Sequence, residues 1–213
     1  MPINPSFPYP LYLVISEAQC LHLPWLQVAE EAILGGVDII QLREKNLPVK
    51  DFLTKAQALK KICDKYGIPL VINDVLSVAV DVDAWAVHVG QSDTAPLDII
   101  DLYGHRFKIG WSFETLTQMQ GANFDVVDHL GVSPIFKTAT KTDTINEWGI
   151  AGMQQLATTI SKPLIAIGGL HQGNVEDVWK SGANSIAVVS AICHSKDPRN
   201  AAANLKALLQ CVK

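Results

Sequence analysis

Several pairs of polar residues in this chain stand directly after short apolar runs, and nearly all are types that bind phosphate or a divalent cation. They are Arg43 and Lys45, Asn73 and Asp74, Gln91 and Asp93, Ser112, Thr138–Lys141, Gly168-Gly169 and Ser190. Asp74 and Asp93 follow the apolar runs Leu70–Ile72 and Trp85–Val89. If those runs are neighbouring parallel strands, both carboxylates emerge at one rim, with the Asn73 amide nearby. Two carboxylates and an amide suit a hard cation such as Mg²⁺, which shares oxygen ligands with phosphates. The plain alternative is that Asp74 caps a following helix and Asp93 sits in a turn.

Arg43 and Lys45 are two residues apart, so on an extended segment both can face one side. Arginine offers a fork matched to phosphate oxygens and lysine a point charge; a solvated loop is the competing reading. Lys137, Thr138, Thr140 and Lys141 could wrap an anion as a lid, or form a polar surface loop. Gly168-Gly169 and Ser190 suit a phosphate held by backbone N–H groups, because glycine admits close approach. Two anion sites follow: a basic, metal-assisted one suited to a pyrophosphate, and a neutral, backbone-based one suited to a monophosphate. No Ser-His-Asp set, Cys-His pair or glycosidase-type carboxylate pair is evident, and His88 reads as a packing or supporting residue rather than a base. Phosphate-neutralising groups without a nucleophile suggest ionisation of a pyrophosphate leaving group and attack by a second phosphorylated molecule.

These residues need a scaffold that delivers strand ends to one rim. Strand patterns fall at Leu11–Ile15, Val37–Leu42, Leu70–Ile72, Trp85–Val89, Lys108–Trp111, Val126–Leu130, Leu164–Ile167 and Ser185–Val189. Helical patterns alternate with them: Trp25–Leu34, Pro48 to Tyr66 with Gly67 as cap, Val75–Val80, Pro96–Tyr103, Glu114–Met119, Gly149–Ile160, Val175–Ser181 and Asn200–Leu209. Continuous strand–helix alternation means right-handed crossovers and a parallel sheet. Eight such units fit an α/β fold, a closed (β/α)₈ TIM barrel, as one domain over residues 1–213 with residues 1–10 as an irregular arm. A doubly wound open sheet competes, but it would usually open on a glycine-rich turn, and Leu13–Glu17 has none.

The composition narrows the classes further. Lys plus Arg is 17 against 21 for Asp plus Glu, a net charge of −4, so there is no basic footprint for nucleic acid. No apolar run approaches membrane-spanning length, and the opening MPINPSFPYP lacks the charged and apolar regions of a signal peptide. Cys20, Cys63, Cys193 and Cys211 show neither a CxxC pair nor metal spacing and read as idle thiols of a reducing compartment, which places the chain in the cytoplasm. Homo-oligomerisation is compatible with all of this and specified by none of it.

The motifs QLREK at Gln41–Lys45, VIND at Val71–Asp74, VHVGQSD ending at Asp93, TATKTD at Thr138–Asp143, IGGL at Ile167–Leu170 and VVSAI at Val188–Ile192 resemble those of the thiamine-phosphate synthases, in the same order and over nearly the whole chain. The resemblance implies a transferase of thiamine biosynthesis. It would join 4-amino-2-methyl-5-hydroxymethylpyrimidine pyrophosphate to 4-methyl-5-(2-hydroxyethyl)thiazole phosphate or its carboxylate, releasing pyrophosphate. It also implies roles. Gln41, Arg43, Lys45, Asn73 and Lys141 would hold the pyrimidine pyrophosphate, and Ser112 would stand near the reacting methylene or the leaving group. Asp74 and Asp93 would bind Mg²⁺. Thr138 and Thr140 would contact the thiazole, and Gly169, Val189 and Ser190 its phosphate.

The chain departs from the family pattern at the end of the first strand (LVIS), at Phe113-Glu114 and at Lys137. A related thiazole tautomerase branch carries a histidine where this chain has Pro134 and loses much of the pyrophosphate site. An idle phosphate-ligand-binding regulator on the same fold is the other alternative.

Overall fold

The computed structural model describes residues 4–138 and 147–210. Eight parallel strands close into a barrel in sequence order: β1 (Leu11–Ile15), β2 (Ile39–Leu42), β3 (Leu70–Asn73), β4 (Ala86–Val89), β5 (Lys108–Phe113), β6 (His129–Val132), β7 (Leu164–Ile167) and β8 (Ser185–Val188). Outside them run α1 (Trp25–Leu34), α2 (Val49–Tyr66), α3 (Leu76–Asp81), α4 (Pro96–Tyr103), α5 (Ala122–Val126), α6 (Gly149–Thr159), α7 (Val175–Lys180), α8 (Ser190–Cys193) and α9 (Pro198–Gln210). Strands covered on both faces need apolar residues at every position, which is why they read as unbroken Val, Ile and Leu runs.

Alternate strand residues divide into two apolar layers. The outward set (Leu13, Ile40, Leu42, Ile72, Val87) joins the helices in the main core. The inward set is smaller and includes Tyr12, Val14, Ile39, Val71, Ala86, Ile165 and Ala187. Phe7 belongs to this inner layer, fully buried, with its ring 4.9 Å from that of His129 and 6.1 Å from Trp85. The described residues of the arm before β1, 4–10, hold no helix or strand, yet Phe7 closes the barrel floor, and that role left no mark in the proline-rich composition.

The same device sets the start of several strands. The Asp38 carboxylate accepts the Leu11 N–H at 2.8 Å, that of Asp128 accepts the Ile109 N–H at 2.8 Å, and the Asn184 amide oxygen accepts the Leu164 N–H at 2.8 Å. Each side chain satisfies a strand-end donor that the ladder leaves open. Asp38 also pairs with Lys206 of α9.

This device explains one boundary that the apolar pattern misplaces. The pattern predicts a sixth strand at Val126–Leu130, whereas β6 is His129–Val132 and Val126 ends α5. Asp128, bonded across to Ile109, fixes the entry point. The helix expected at Glu114–Met119 is instead a 3₁₀ turn at Leu116–Gln120. Thr115 and Gln118 form a reciprocal capping box there, and Gln118 Oε1 accepts the N–H groups of Glu114 and Thr115, which keeps both residues outside the turn. The short α5 and α8 were not anticipated, being too brief to show helical periodicity.

Candidate active site

The C-terminal ends of the strands surround a cavity of about 290 Å³. Its wall includes Gln41, Arg43 and Lys45 after β2, Asn73 and Asp74 from β3, Gln91 and Asp93 after β4, and Ser112 of β5. Thr138, Gly168-Gly169, Val189 and Ser190 complete the circuit. Thus every sequence-predicted site residue that the structure describes, Lys137 excepted, lies on one cavity. Thr140 and Lys141 fall outside the described residues. Lys137 is exposed and faces a shallower groove beside the main cavity, together with Phe136, Glu147, His171 and Ser190.

The strand registers bring the acidic and basic groups together. β3 and β4 pair with Asn73 opposite His88, and the Asp74 N–H donates to the His88 carbonyl at 2.9 Å. Asp74 has φ 61°, a left-handed conformation that Asp tolerates better than most residues. Its side chain does not cap α3; it accepts a hydrogen bond from Lys45 Nζ at 2.9 Å. Asp93 Oδ2 accepts the Gly90 N–H at 2.8 Å, so this carboxylate does shape a turn while also lining the cavity.

The two carboxyl groups are also close enough to act on one another. Burial raises the Asp74 pKa above its ordinary value, Lys45 pulls it down, and Asp93 pushes it up again. Adjacent carboxylates in a half-buried rim repel unless a proton or a cation lies between them. This donor set of hard oxygens fits a divalent cation that completes its shell with phosphate and water. Among the described residues no group of three or more His, Cys, Asp or Glu is placed to hold a metal ion by itself.

Deeper in the barrel Gln41, His88 and Ser112 meet two polar groups that the sequence reading did not single out, Tyr12 and His129. Gln41 Nε2 donates to the buried Tyr12 hydroxyl at 2.9 Å. Desolvation raises the Tyr12 pKa further above its ordinary value, so the phenol stays neutral. His88 Nε2 and Ser112 Oγ share a hydrogen bond of 3.2 Å. The Ser112 carbonyl accepts from Gln91 Nε2 at 2.7 Å and Gln118 Nε2 at 2.9 Å, which ties the β4 loop to the end of β5. Gly110 makes room for the two imidazoles, since a Cβ there would lie 2.3 Å from His129 Nε2 and 2.6 Å from His88 Nδ1. The available signal was strand alternation: Tyr12, Gln41, His88, Ser112 and His129 all occupy inward positions.

His129 is fully buried, and neither ring nitrogen has a hydrogen-bond partner. Desolvation, with smaller contributions from His88 and Lys108, pushes its pKa down to about 3 from 6.5. The unfolded chain therefore takes up this proton first as pH falls, so stability declines below pH 6.5 and continues to decline to about pH 3. Denaturant unfolding should show a loss of about 2 kcal/mol from this residue between about pH 7.5 and about pH 5. His129→Leu should remove that component of the slope; an unchanged slope would show the imidazole is not held neutral.

On the opposite rim, Gly168 and Gly169 have φ of 104° and 67°. A Cβ at Gly168 would lie 2.7 Å from the Pro134 side chain, and one at Gly169 would lie 2.8 Å from the Lys137 carbonyl. The Ile135 and Phe136 N–H groups donate to Ile167 and Gly168 carbonyls, so the loop after β6 lies directly on this turn. The glycines are needed for that close packing whatever else they bind. Asn174 Nδ2 holds the Gly169 carbonyl at 2.9 Å, and Ser190, exposed, opens α8 after the neighbouring strand β8 on the same rim.

Cationic, carboxylate and glycine groups gathered at the C-terminal rim of a closed (β/α)₈ barrel are the arrangement of a barrel enzyme. Residues 11–192 match the family model described as thiamine monophosphate synthase, and the chain belongs to that family of transferases. It is 45% identical over 202 residues to a thiamine-phosphate synthase of Albidiferax ferrireducens, covering 95% of this chain and 92% of that one. A thiamine-phosphate synthase of Vibrio parahaemolyticus is 42% identical, with 94% and 98% covered. Among solved structures, a thiamine phosphate pyrophosphorylase from Pyrococcus furiosus superposes with a TM-score of 0.86 at 27% identity, covering 96% of each chain.

Proposed function

We propose that the chain couples 4-amino-2-methyl-5-hydroxymethylpyrimidine pyrophosphate with 4-methyl-5-(2-hydroxyethyl)thiazole phosphate, or its carboxylate, to give thiamine phosphate and pyrophosphate. The observation that carries this reading is the division of one cavity rim. Arg43, Lys45, Asp74 and Asp93 stand on one side, and Gly168-Gly169, Val189 and Ser190 on the other. One side suits a highly charged leaving group and the other a monophosphate handle.

In the proposed mechanism Arg43 and Lys45 bind the pyrophosphate oxygens and stabilise the charge that grows as the C–O bond breaks. Lys141 joins them on the sequence motif. Asp74 and Asp93 hold Mg²⁺, which when bound supplies further neutralisation of the leaving group. Gln41 and Asn73 orient the aminopyrimidine, whose electron-rich ring stabilises the methylene cation. Ser112, positioned by His88, lies near that carbon. Thr138 and Thr140 orient the thiazole so that its nitrogen attacks, while Gly169, Val189 and Ser190 hold its phosphate. A cavity closed below by Phe7, Tyr12 and His129 keeps water from reaching the cation first.

Among the described residues no helix is long and apolar enough to cross a membrane. Cytoplasmic placement, a single domain over the whole chain and small-molecule partners without nucleic acid belong to the same proposal. The test is thiamine phosphate and pyrophosphate formation from the two substrates. Product should appear with Mg²⁺, disappear with EDTA and return on adding Mg²⁺. Binding of both ligands without product would overturn the reading in favour of a regulator, and isomerisation of the thiazole carboxylate alone would point to a tautomerase.

A further inference from the structure

Cys20 and Cys193 lie far apart in sequence, yet closure of the barrel sets them side by side, with the thiols near enough to perturb one another. Cys20 follows the 3₁₀ turn Glu17–Gln19, and Cys193 ends α8. The two backbones are joined independently of the thiols. The Leu21 N–H donates to the Cys193 carbonyl at 3.4 Å, and His194 Nε2 shares a hydrogen bond with Gln19 Oε1 at 3.2 Å. Cys20 Sγ also lies 3.4 Å from the Ser16 carbonyl and Cys193 Sγ 3.9 Å from the Val14 carbonyl, so both sulfurs are held rather than free to swing away.

The pair is asymmetric in the way that a two-cysteine oxidation site requires. Cys20 is half-buried and Cys193 is buried. The neighbouring Cys193 thiol lowers the Cys20 pKa, against opposing effects of burial and of the Glu44 and Glu17 carboxylates. Cys193 is raised, first by that same contact and then by burial. Cys63, buried in α2, is pushed up to about 12 by desolvation and has no partner thiol at hand among the described residues. An attacking thiolate with an adjacent resolving thiol is the arrangement of redox-responsive cysteines.

We propose that Cys20 and Cys193 form a reversible, peroxide-driven disulfide that staples the loop after β1 to α8 at the rim of the cavity. The Cys20 thiolate attacks one oxygen of hydrogen peroxide, the O–O bond breaks, and the departing hydroxide takes a proton and leaves as water. The resulting sulfenic acid is attacked by the Cys193 sulfur. The S–S bond forms, the S–O bond breaks, and a second water leaves with the Cys193 proton. Two thiols are oxidised and one peroxide is reduced to two waters.

The staple joins two neighbouring segments of the cavity wall, Ser16 and Gln19 after β1 and Val189 and Ser190 after β8. Oxidation therefore alters the KM for the thiazole phosphate more than that for the pyrimidine pyrophosphate, a consequence that rests on the proposed function.

The test exposes the full-length protein to a small excess of hydrogen peroxide, alkylates it under denaturing conditions and maps the peptides by mass. The expected result is a Cys20–Cys193 cross-link lacking two hydrogen atoms, with Cys63 alkylated, thermal stability raised and everything reversed by dithiothreitol. Cys20→Ser and, separately, Cys193→Ser should each abolish the cross-link, with Cys193→Ser leaving Cys20 as an over-oxidised acid. Linkage to Cys211, an intermolecular dimer, or Cys20 oxidised in the parent protein while Cys193 remains alkylatable would each overturn the proposal. The mapping needs no substrate, so it stands or falls apart from the assigned reaction; the two KM values are measured afterwards on the oxidised and reduced forms.

Discussion

Asp74→Asn is expected to lower turnover by a factor of about 10²–10³, the loss found when one charge-stabilising group is removed from a preorganised site. Asparagine keeps the shape of the side chain and tolerates the left-handed φ of 61°, so the backbone should not move. What changes is charge. Burial and Asp93 both disfavour the ionised Asp74 carboxylate, and Lys45 only partly offsets them. A carboxyl whose pKa is raised on folding costs stability once it is ionised, above its folded pKa, and costs nothing below its unfolded one. In metal-free protein at neutral pH the amide removes that cost, so the variant should unfold at a higher temperature while losing activity. Asp93→Asn should act in the same direction on activity and should raise the Mg²⁺ concentration needed for half-maximal rate. Turnover, a Mg²⁺ titration and thermal unfolding in EDTA check all three statements. Unchanged turnover with a flat titration would remove the two carboxylates from the proposed metal site. Lower activity combined with lower stability would make Asp74 a structural residue held by Lys45.

Why these two carboxylates could be placed from the sequence, and other groups could not, comes down to what periodicity encodes. Strand existence is written in apolar runs such as Leu11–Ile15 and Leu70–Asn73, and those runs fix which residues emerge at the rim. Arg43, Lys45, Asp74, Asp93 and Ser112 follow directly from that rule, and all meet at one cavity. The starts of strands are written differently. Asp38, Asp128 and Asn184 set them through side-chain bonds to a neighbouring strand, and such cross-chain contacts have no local signature. β6 was therefore displaced by about one helical turn of chain while its neighbours were found. The barrel floor was hidden for a similar reason. Phe7 sits among prolines that indicate irregular backbone, and nothing in MPINPSFPYP says that its ring will fill the barrel. The role of Gly168-Gly169 is legible only in part. Sequence suggests backbone contact with an anion, whereas the structure adds a demand from Pro134 and Lys137 that glycine alone can meet. The proximity of Cys20 and Cys193 is likewise a product of closure, since β1 and β8 become neighbours only when the sheet joins its own edge.

Ser190→Asp separates the two halves of the proposed site more cleanly than any truncation. Ser190 is exposed at the start of α8, on the rim that faces Gly169, so an added carboxylate has room and should not disturb the core. If the thiazole phosphate is held there, the new charge stands within contact distance of a dianion. Two unit charges about 4 Å apart repel by about 4 kcal/mol at an effective dielectric near 20, and solvent screening at an exposed position reduces this to about 3 kcal/mol. At about 1.4 kcal/mol per tenfold, the KM for the thiazole phosphate should rise about a hundredfold. The KM for the pyrimidine pyrophosphate should stay within about twofold, because its charges lie across the cavity beside Arg43 and Lys45 and exposed charges that far apart are largely screened. Ser190→Asn, similar in size but neutral, should leave both values near those of the parent and so assigns the effect to charge rather than bulk. Equal increases in both KM values for the aspartate variant would mean that the two anions are not held on opposite rims. An unaltered thiazole-phosphate KM would mean that the monophosphate is not held at Ser190.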